Sequence, residues 1–218
     1  MLRTDIDAVL AEALAGRRLL DHPFYRRWEA GTLEPGELAD YAGQYRHFEA
    51  ALPGVLERTV GRIDDPEARR LVQANLDDER GVPAPHLELF EGFARAVGAP
   101  DHAAPTPATA ALVDLYAGTD TPPVAVLAAL AAYEVQAPAI AASKGDGLRS
   151  RYGLGPEGTR FWDVHAQADV DHGAWTVEAV ARLGGAPATV AGAARAAADA
   201  WWAFLDEREA RRGATVAC

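Results

Sequence analysis

The chain has 218 residues, enough for one domain with a substantial buried core, and no stretch reads as a linker between two domains. Its 49% apolar and 24% charged residues are typical of a globular domain, and its many alanines and leucines favour helices. The formal net charge is −11 and the arginines are scattered. This argues against nucleic-acid and anionic-membrane partners and leaves small molecules or proteins.

The lack of a secretion signal and of a long apolar run predicts a cytoplasmic protein. The first residues lack the apolar core of a secretion signal, and the longest run of alanine, leucine and valine, at 124–133, is too short to span a bilayer. The one cysteine, Cys218, is the last residue, so we expect no disulfide, no thiolate metal site and no cysteine nucleophile. We expect one domain over residues 1–213 and a tail without evident role over residues 214–218.

Apolar residues recur at helical spacing along nearly the whole chain, and no stretch alternates as strands do. This pattern predicts an all-α, single-domain bundle of about seven to eight helices. We expect the first helix to run from Thr4 or Asp5 to about residue 18. Later helices are expected to open at prolines, namely Pro35, Pro66, Pro107, Pro156 and Pro187.

The middle of the chain is apolar on nearly every side. This predicts one central helix over residues 124–143, bent beside Pro138. The glycine-rich residues 145–155 that follow are expected to form a flexible loop with a short helix in it.

Three candidate metal ligands share one face of a predicted helix in the last third of the chain. His165, Asp169 and His172 stand at positions i, i+4 and i+7, which places them within an arc of roughly 60°. Two imidazoles and a carboxylate suit a transition metal that accepts nitrogen and oxygen ligands. An exposed polar stripe or a satisfied buried network fits this segment equally well when it is taken alone.

Three further residues extend the ligand set. Glu134 is the one charge in the apolar central helix, where a carboxylate is costly unless it is paired or bound to a metal. Glu79 and His86 flank a break that contains two prolines, so their side chains can converge on one point. With the first three they make three carboxylates and three imidazoles, which suits two iron or manganese ions in a helix bundle.

Two more residues are unusual for their type or setting. Lys144 is the only lysine in the chain, and it lies ten residues after Glu134. Tyr25 belongs to a short aromatic segment, and Tyr41 and Tyr45 lie one helical turn apart. Each has an ordinary interpretation, an aromatic core for Tyr25 and a side chain that reaches the surface for Lys144.

The series Glu79-x6-His86, Glu134 and His165-x3-Asp169-x2-His172 resembles the ligand signature of the haem-oxygenase-like dimetal oxidases, within the broad TenA and PqqC group. The runs Tyr133-Glu134-x-Gln136-x-Pro138, Lys144-x2-Gly147-Leu148 and Tyr152-Gly153 are also similar to that family, and the likeness covers nearly the whole chain. The resemblance implies a haem-oxygenase-like fold and two first-row metal ions, Fe/Fe or Mn/Fe, held by those six residues. It also implies a reaction with O2 and an external reductant.

Within that family the chain resembles the CADD-like p-aminobenzoate synthases, relatives of the chlamydial protein associating with death domains. Those enzymes make p-aminobenzoate for folate by oxidising one of their own tyrosines, with a lysine ten residues after the central glutamate as the amine source. The resemblance therefore implies that Tyr25 is oxidised and that Lys144 donates the amine. One position departs from the pattern, because Phe161 stands where such relatives tend to show another pocket tyrosine. Tyr133 remains available as a further catalytic tyrosine.

The sequence leaves other functions open. A dimetal oxidase of this fold can act on a free amino acid, amine or fatty acid, and a metal-free relative of the PqqC or TenA type keeps only the cavity. Metal identity is not determined, because Fe/Fe and Mn/Fe pairs use the same ligand types. A homodimer is the default expectation for the assembly.

Overall fold

The computed structural model describes residues 2–81 and 84–212. Within these ranges the chain forms ten α-helices and one 3-10 turn, Leu19–Asp21, and contains no strand. The helices are α1 (Arg3–Ala13), α2 (Pro23–Ala30), α3 (Pro35–Val60), α4 (Pro66–Arg80), α5 (His86–Ala96), α6 (Pro107–Ala117), α7 (Pro123–Glu134), α8 (Ala137–Ser150), α9 (Pro156–Leu183) and α10 (Pro187–Ala210). The predicted all-α fold is confirmed. The domain boundary at residue 213 stays a prediction, because 213–218, with Cys218, lie outside the described residues.

The helices outnumber the expected seven to eight partly because the apolar middle of the chain forms two of them. α7 ends at Glu134, and α8 starts at Ala137 with Pro138 in its first turn, where a missing N–H costs nothing. α8 continues to Ser150, so the prediction of a loop over residues 145–155 is wrong for its first half. Gly147 allows close packing instead of flexibility, since a Cβ there would lie 2.9 Å from the Trp28 ring.

The start of the chain also differs from the prediction. α1 ends at Ala13 and not near residue 18, because Gly16 takes a left-handed conformation with a φ of 68°. His22 then caps α2, accepting a hydrogen bond of 3.1 Å at Nδ1 from the Phe24 N–H. This junction fixes the helix that carries Tyr25. The five helices predicted to open at prolines do so at the expected residues.

α9 is the helix around which the candidate site is built. It packs against α4, α5, α7 and α8, so one of its faces meets residues from several other helices. α2 packs on α8, and α3 packs on α4 and α5. All ten helices contribute side chains to one apolar cluster. The polar residues described below are therefore enclosed by the bundle.

The stretch Pro123–Ser150, which joins α7 and α8, is long and apolar enough to cross a membrane by length and composition. The run at 124–133 is too short to span a bilayer by itself, and the stretch reaches that length only when α8 is included. Its most apolar window is 72% buried inside the fold, and Leu127, Ala128 and Ala131 are fully enclosed. A central position in the bundle accounts for this composition.

Candidate metal centre and lysine pocket

The six predicted ligands are all buried, with exposed fractions between 1% and 8%. They lie at the end of α4, the first residue of α5, the last residue of α7 and along one face of α9. Five of them line one small cavity, and the sixth, His86, packs its ring against His165 at a centroid distance of 4.4 Å. We call this set the metal centre; it consists of Glu79, His86, Glu134, His165, Asp169 and His172.

The tightest group in the metal centre is Glu79, His86 and His165. One potential ligand atom from each lies within 4.8 Å of the other two. Glu79 Oε2 is 3.1 Å from His86 Nδ1, yet this nitrogen has no aligned hydrogen-bond partner among the described residues. Two ligands held about 2.1 Å from one ion at a right angle lie about 3 Å apart. The spacing therefore fits two donors aimed at a common ion.

A second group adjoins the first through the other oxygen of Glu79. His172 Nδ1 lies 3.9 Å from Glu79 Oε1 and 3.3 Å from Asp169 Oδ1. Glu134 lines the same cavity. Glu79 thus presents one carboxylate oxygen to each group, so it could supply a ligand atom to an ion bound at either one.

Neighbouring groups fix which ligand atom points inward. His165 donates its Nδ1–H to the Phe161 carbonyl at 2.8 Å, which leaves Nε2 free for a metal. His172 Nε2 donates to Asp78 Oδ2 at 3.3 Å, and Glu134 Oε1 accepts from Asn75 Nδ2 at 2.9 Å. Such partners orient metal ligands and raise their basicity. Glu134 Oε2 has no hydrogen-bond partner among the described residues, which leaves it available to an ion.

Burial and charge shift the titration of these ligands. Burial raises the pKa of the Glu134 carboxyl, and the charge of His172 offsets this only in part. Burial lowers the pKa of His172, but its hydrogen bond with Asp169 and the charges of Glu134 and Glu79 outweigh burial and raise that pKa to about 9. Without a metal the His172 ring is therefore cationic at neutral pH, and an ion bound there replaces a proton.

Lys144 lies on α8 in a pocket of aromatic rings beside the metal centre. It is 1% exposed, so the alternative that it reaches the surface does not hold. Its Nζ lies between 4.2 and 5.7 Å from five ring centroids. We call this the lysine pocket; its rings belong to Tyr25, Trp28, Tyr41, Tyr45 and Trp162. Burial lowers the pKa of Lys144 well below its ordinary value, which favours the neutral amine with its lone pair.

Hydrogen bonds hold this amine against the predicted substrate tyrosine. Lys144 Nζ donates to the Tyr41 hydroxyl at 2.5 Å, and that hydroxyl is 2.9 Å from the Tyr25 hydroxyl. Nζ is 4.4 Å from the centre of the Tyr25 ring. Burial raises the pKa of Tyr25, so its phenol keeps its proton. Burial thus favours the neutral form of both the amine and the phenol.

Tyr133 connects the two regions. It precedes Glu134 in the chain, and its hydroxyl is 2.5 Å from that of Tyr45, whose ring belongs to the lysine pocket. Both tyrosines line the cavity of the metal centre. That cavity has a volume of about 20 Å³. The volume is close to that of one water molecule, which is enough for a diatomic gas.

Sequence reasoning did not identify several polar residues that contact the metal centre or its cavity. Asn75 and Asp78 lie on α4 and bond the predicted ligands Glu134 and His172. In the sequence, their polar side chains are typical of an ordinary solvated helix face. Glu49 lines the cavity itself. It stands four residues after Tyr45 and eight after Tyr41, and this shared face of α3 was a signal that could have found it. His47 lies off that face and contacts the Ala103 carbonyl at 2.8 Å.

Comparison with known proteins agrees with the geometry. A family model described as "Iron-containing redox enzyme" matches residues 39–205. A solved structure from Shewanella denitrificans, described as a domain of unknown function with a haem oxygenase-like fold, aligns with a TM-score of 0.77. The alignment covers 98% of this chain and 93% of that one at 14% identity, and it supports the haem-oxygenase-like fold.

Two relatives carry the same functional name. A 4-aminobenzoate synthase from Nitrosomonas europaea is 36% identical over 212 residues, covering 88% of this chain and 86% of the relative. A 4-aminobenzoate synthase from Chlamydia pneumoniae is 32% identical over 205 residues, covering 90% of this chain and 92% of the relative.

Proposed function

This chain belongs to the iron-containing redox enzymes, and from that premise we propose that it makes 4-aminobenzoate, a precursor of folate, in an O2-dependent reaction on its own side chains. Tyr25 provides the aromatic ring and Lys144 the amino group. The observation that carries the proposal is the Lys144 amine, which is buried and lies 4.4 Å from the Tyr25 ring centre, with its pKa lowered by burial well below the ordinary value. The names of the two relatives support the same product.

The metal centre is proposed to hold two first-row ions, Fe/Fe or Mn/Fe, through Glu79, His86, Glu134, His165, Asp169 and His172. Support comes from three carboxylates and three imidazoles buried together and from atoms left without hydrogen-bond partners. Mixed nitrogen and oxygen donors suit these metals. When bound, the ions activate O2 with electrons from an external reductant. The protein around them excludes water and fixes the inward ligand atoms.

The lysine pocket positions the two reacting side chains. Tyr41 accepts a hydrogen bond from the Lys144 amine and contacts the Tyr25 hydroxyl, so it holds nitrogen and phenol together. The ring and Cβ of Tyr25 become the ring and carboxyl carbon of the product, which breaks the Cα–Cβ bond. The Lys144 nitrogen replaces the phenolic oxygen, which leaves as water, and the Cε–Nζ bond breaks. O2 is the oxidant that raises the Tyr25 Cβ from a methylene to a carboxyl group. Tyr25 loses its side chain and Lys144 loses only its amine nitrogen, so each polypeptide reacts once.

Tyr133 is proposed to take part in the reaction from its place between the two regions. Its hydroxyl contacts the Tyr45 hydroxyl, and the Tyr45 ring lies 5.1 Å from Lys144 Nζ. Burial raises the pKa of both tyrosines well above the ordinary value, so both hydroxyls keep their protons. The pair can pass a proton or an electron between the metal centre and the lysine pocket.

The small cavity favours a substrate within the chain over a free amino acid, amine or fatty acid. Sites for small organic ligands usually enclose about 300 to 1,000 Å³, whereas the cavity at the metal centre holds about 20 Å³. An external substrate would therefore need a large rearrangement of buried aromatic rings. Tyr25 needs none, because it already lies against Lys144.

Aerobic reconstitution tests the proposal. Protein loaded with Fe(II) and Mn(II) receives reductant and air without any aromatic substrate, and mass spectrometry follows both small products and the intact chain. We expect up to one 4-aminobenzoate per chain, none from Lys144→Ala or Tyr25→Phe, and an undiminished amount from the control Tyr116→Phe. No product from the wild type, or full product from either pocket variant, would overturn the proposal.

Isotope labelling identifies the nitrogen source directly. Because the chain contains a single lysine, protein grown with side-chain heavy-nitrogen lysine carries the label only at Lys144. The product is expected to carry the heavy nitrogen, and labelled tyrosine is expected to label its ring. An unlabelled product from labelled protein would show that the amine comes from solution.

We also propose that the protein works in the cytoplasm as a homodimer with small-molecule partners, O2 and the reductant. Two-fold dimers are the commonest assemblies, and light scattering during size-exclusion chromatography tests this state. A metal-free binding protein is the competing possibility. Metal analysis decides between them, because wild type that retains well under one iron or manganese per chain would favour the binding protein.

A further inference from the structure

Glu49 is a buried carboxylate in the wall of the metal centre that stands outside the six predicted ligands. It lies on α3, is 3% exposed and lines the same cavity as Glu79, Glu134 and Asp169. Its Oε2 atom has no hydrogen-bond partner among the described residues. The Tyr45 hydroxyl is its hydrogen-bonding neighbour. One oxygen of Glu49 therefore remains without a partner in a cavity lined by metal-binding groups.

No arginine or lysine is among the described residues that line the cavity beside this carboxylate. Burial lowers the pKa of Lys144 in the neighbouring pocket well below its ordinary value, which disfavours its cationic form. His172, which lines the cavity, already contacts the carboxylates of Asp169 and Asp78. A buried carboxylate without a cation or a full set of donors is costly. Something else must therefore balance Glu49 when it is ionised.

The charge of a metal pair supplies that balance. Two divalent ions bring four positive charges, and Glu79, Glu134 and Asp169 bring three negative charges. One positive charge then remains in a buried site, where uncompensated charge is unfavourable. A fourth carboxylate makes the loaded centre neutral, and Glu49 is the additional carboxylate that lines the cavity.

We propose that Glu49 is a seventh protein ligand, binding one of two divalent first-row ions through Oε2. The inference rests on the proposed metal centre and extends it to α3. The inference also places one ion on the side of the metal centre nearest the lysine pocket, because Glu49 lies one helical turn from Tyr45 and contacts its hydroxyl. Glu49 binds the ion on the side that faces Tyr45 and the lysine pocket.

Metal titration of matched variants tests the ligand. The full-length chain is stripped with a chelator and titrated anaerobically with Mn(II), followed by electron paramagnetic resonance, beside Glu49→Gln and Glu57→Gln. Glu57 is the control because it lies on the same helix and its side chain is 62% exposed. We expect the dissociation constant of one ion to rise at least about 10-fold in Glu49→Gln, as loss of a group supporting a metal site typically causes. Glu57→Gln should match the wild type.

Thermal unfolding with and without Mn(II) separates a ligand from a purely structural residue. For a ligand, the melting temperature of the metal-free variant does not fall, while the increase on adding Mn(II) shrinks. For a structural carboxylate, the metal-free variant melts earlier and binds both ions as tightly as the wild type. The second result would overturn the inference.

Failure of the inference and failure of the proposed centre give different results. If the wild type binds two ions and Glu49→Gln binds them equally well, only the role of Glu49 is wrong. If the wild type binds no ion, the metal centre itself is wrong. Should Glu49→Gln fail to fold, a crystal structure of the metal-loaded wild type decides. A Glu49 oxygen about 2.0 to 2.2 Å from an ion supports the ligand, and an ion without Glu49 in its coordination sphere overturns it.

Discussion

The metal centre and the lysine pocket lie side by side in the same core but manage buried charge in opposite ways. The metal centre collects carboxylates and imidazoles, a donor set that suits bound cations. The lysine pocket surrounds one amine with five aromatic rings, and burial opposes its charge. The same low-polarity interior thus raises the pKa of Glu134 and lowers that of Lys144. In the proposed function one region is completed by binding ions, and in the other burial favours the neutral amine.

The two regions also differ in how they are held. Ligands of the metal centre are oriented by polar groups outside it, such as Asp78 and Asn75. In the lysine pocket, Tyr41 bonds the amine from within, and the remaining contacts are rings. The two meet at Tyr45 and Tyr133. Variants should therefore damage one region while leaving the other intact, and the following predictions test that separation.

Removing a ligand should have the largest effect. We expect His165→Ala to weaken metal binding by more than about 100-fold, beyond the effect of losing an outer partner, and to reduce 4-aminobenzoate to background. Metal analysis measures the binding, and a product assay measures 4-aminobenzoate. His47→Ala is the matched histidine control, because the ring of His47 bonds the Ala103 carbonyl and lies outside the metal centre. Full metal content in His165→Ala would contradict the assigned ligand set.

A smaller effect is expected when a ligand loses its outer partner. Asp78→Asn weakens the acceptor of the His172 Nε2–H bond, so metal affinity should fall about 10- to 100-fold. The neighbouring Asp77→Asn provides the control, since Asp77 accepts a bond from Gln73 on the surface. Competition with a chelator measures the affinities. Equal affinities in the two variants would show that the Asp78 contact does not support the ligand.

In the lysine pocket, Tyr41→Phe should slow the reaction without affecting metal binding. The change deletes the hydroxyl that bonds both Lys144 and Tyr25. A hydrogen bond of about 0.5 to 1.5 kcal/mol net corresponds to a rate loss of up to about tenfold. Single-turnover kinetics on fully loaded protein measure the rate, with Tyr152→Phe as control. A loss of metal in Tyr41→Phe would show that the two regions are not separable.

Lys144→Met should abolish the product and yet stabilise the fold at neutral pH. The folded pKa of Lys144 lies well below the unfolded value of about 10.4, so between the two values only the unfolded chain holds the proton. Wild-type stability should therefore gain about 1.4 kcal/mol per pH unit from this residue as pH rises through that window. The methionine variant lacks this gain.

Urea denaturation at several pH values measures the difference between the two proteins. The advantage of Lys144→Met over wild type should shrink as pH rises toward about 10.4 and level off above that pH. Both proteins share the other titrating groups, so the contributions of groups that do not interact with Lys144 cancel in the comparison. A difference that is constant at every pH would show that burial does not lower the pKa of Lys144.

The helix starts and most of the candidate site residues can be predicted from the amino-acid sequence alone. Proline and capping signals place the starts of α3, α4, α6, α9 and α10, because they act within one turn of the chain. The i, i+4, i+7 spacing on α9 and the single charge in the apolar α7 identify candidate ligands, because helical period and burial cost are local properties. The lone lysine singles out Lys144.

Only the tertiary structure decides how these faces meet. Periodicity shows that a helix has a polar face but not which other helix packs on it, so Asn75, Asp78 and Glu49 become part of the site only when α3 and α4 pack against it. The break between α7 and α8 is also decided by the tertiary structure. Gly147 suggests flexibility in the sequence, but a glycine is needed there because the Trp28 ring packs closely against it. The charge state of Lys144 depends on rings from three other helices, and no local pattern in the sequence specifies that environment.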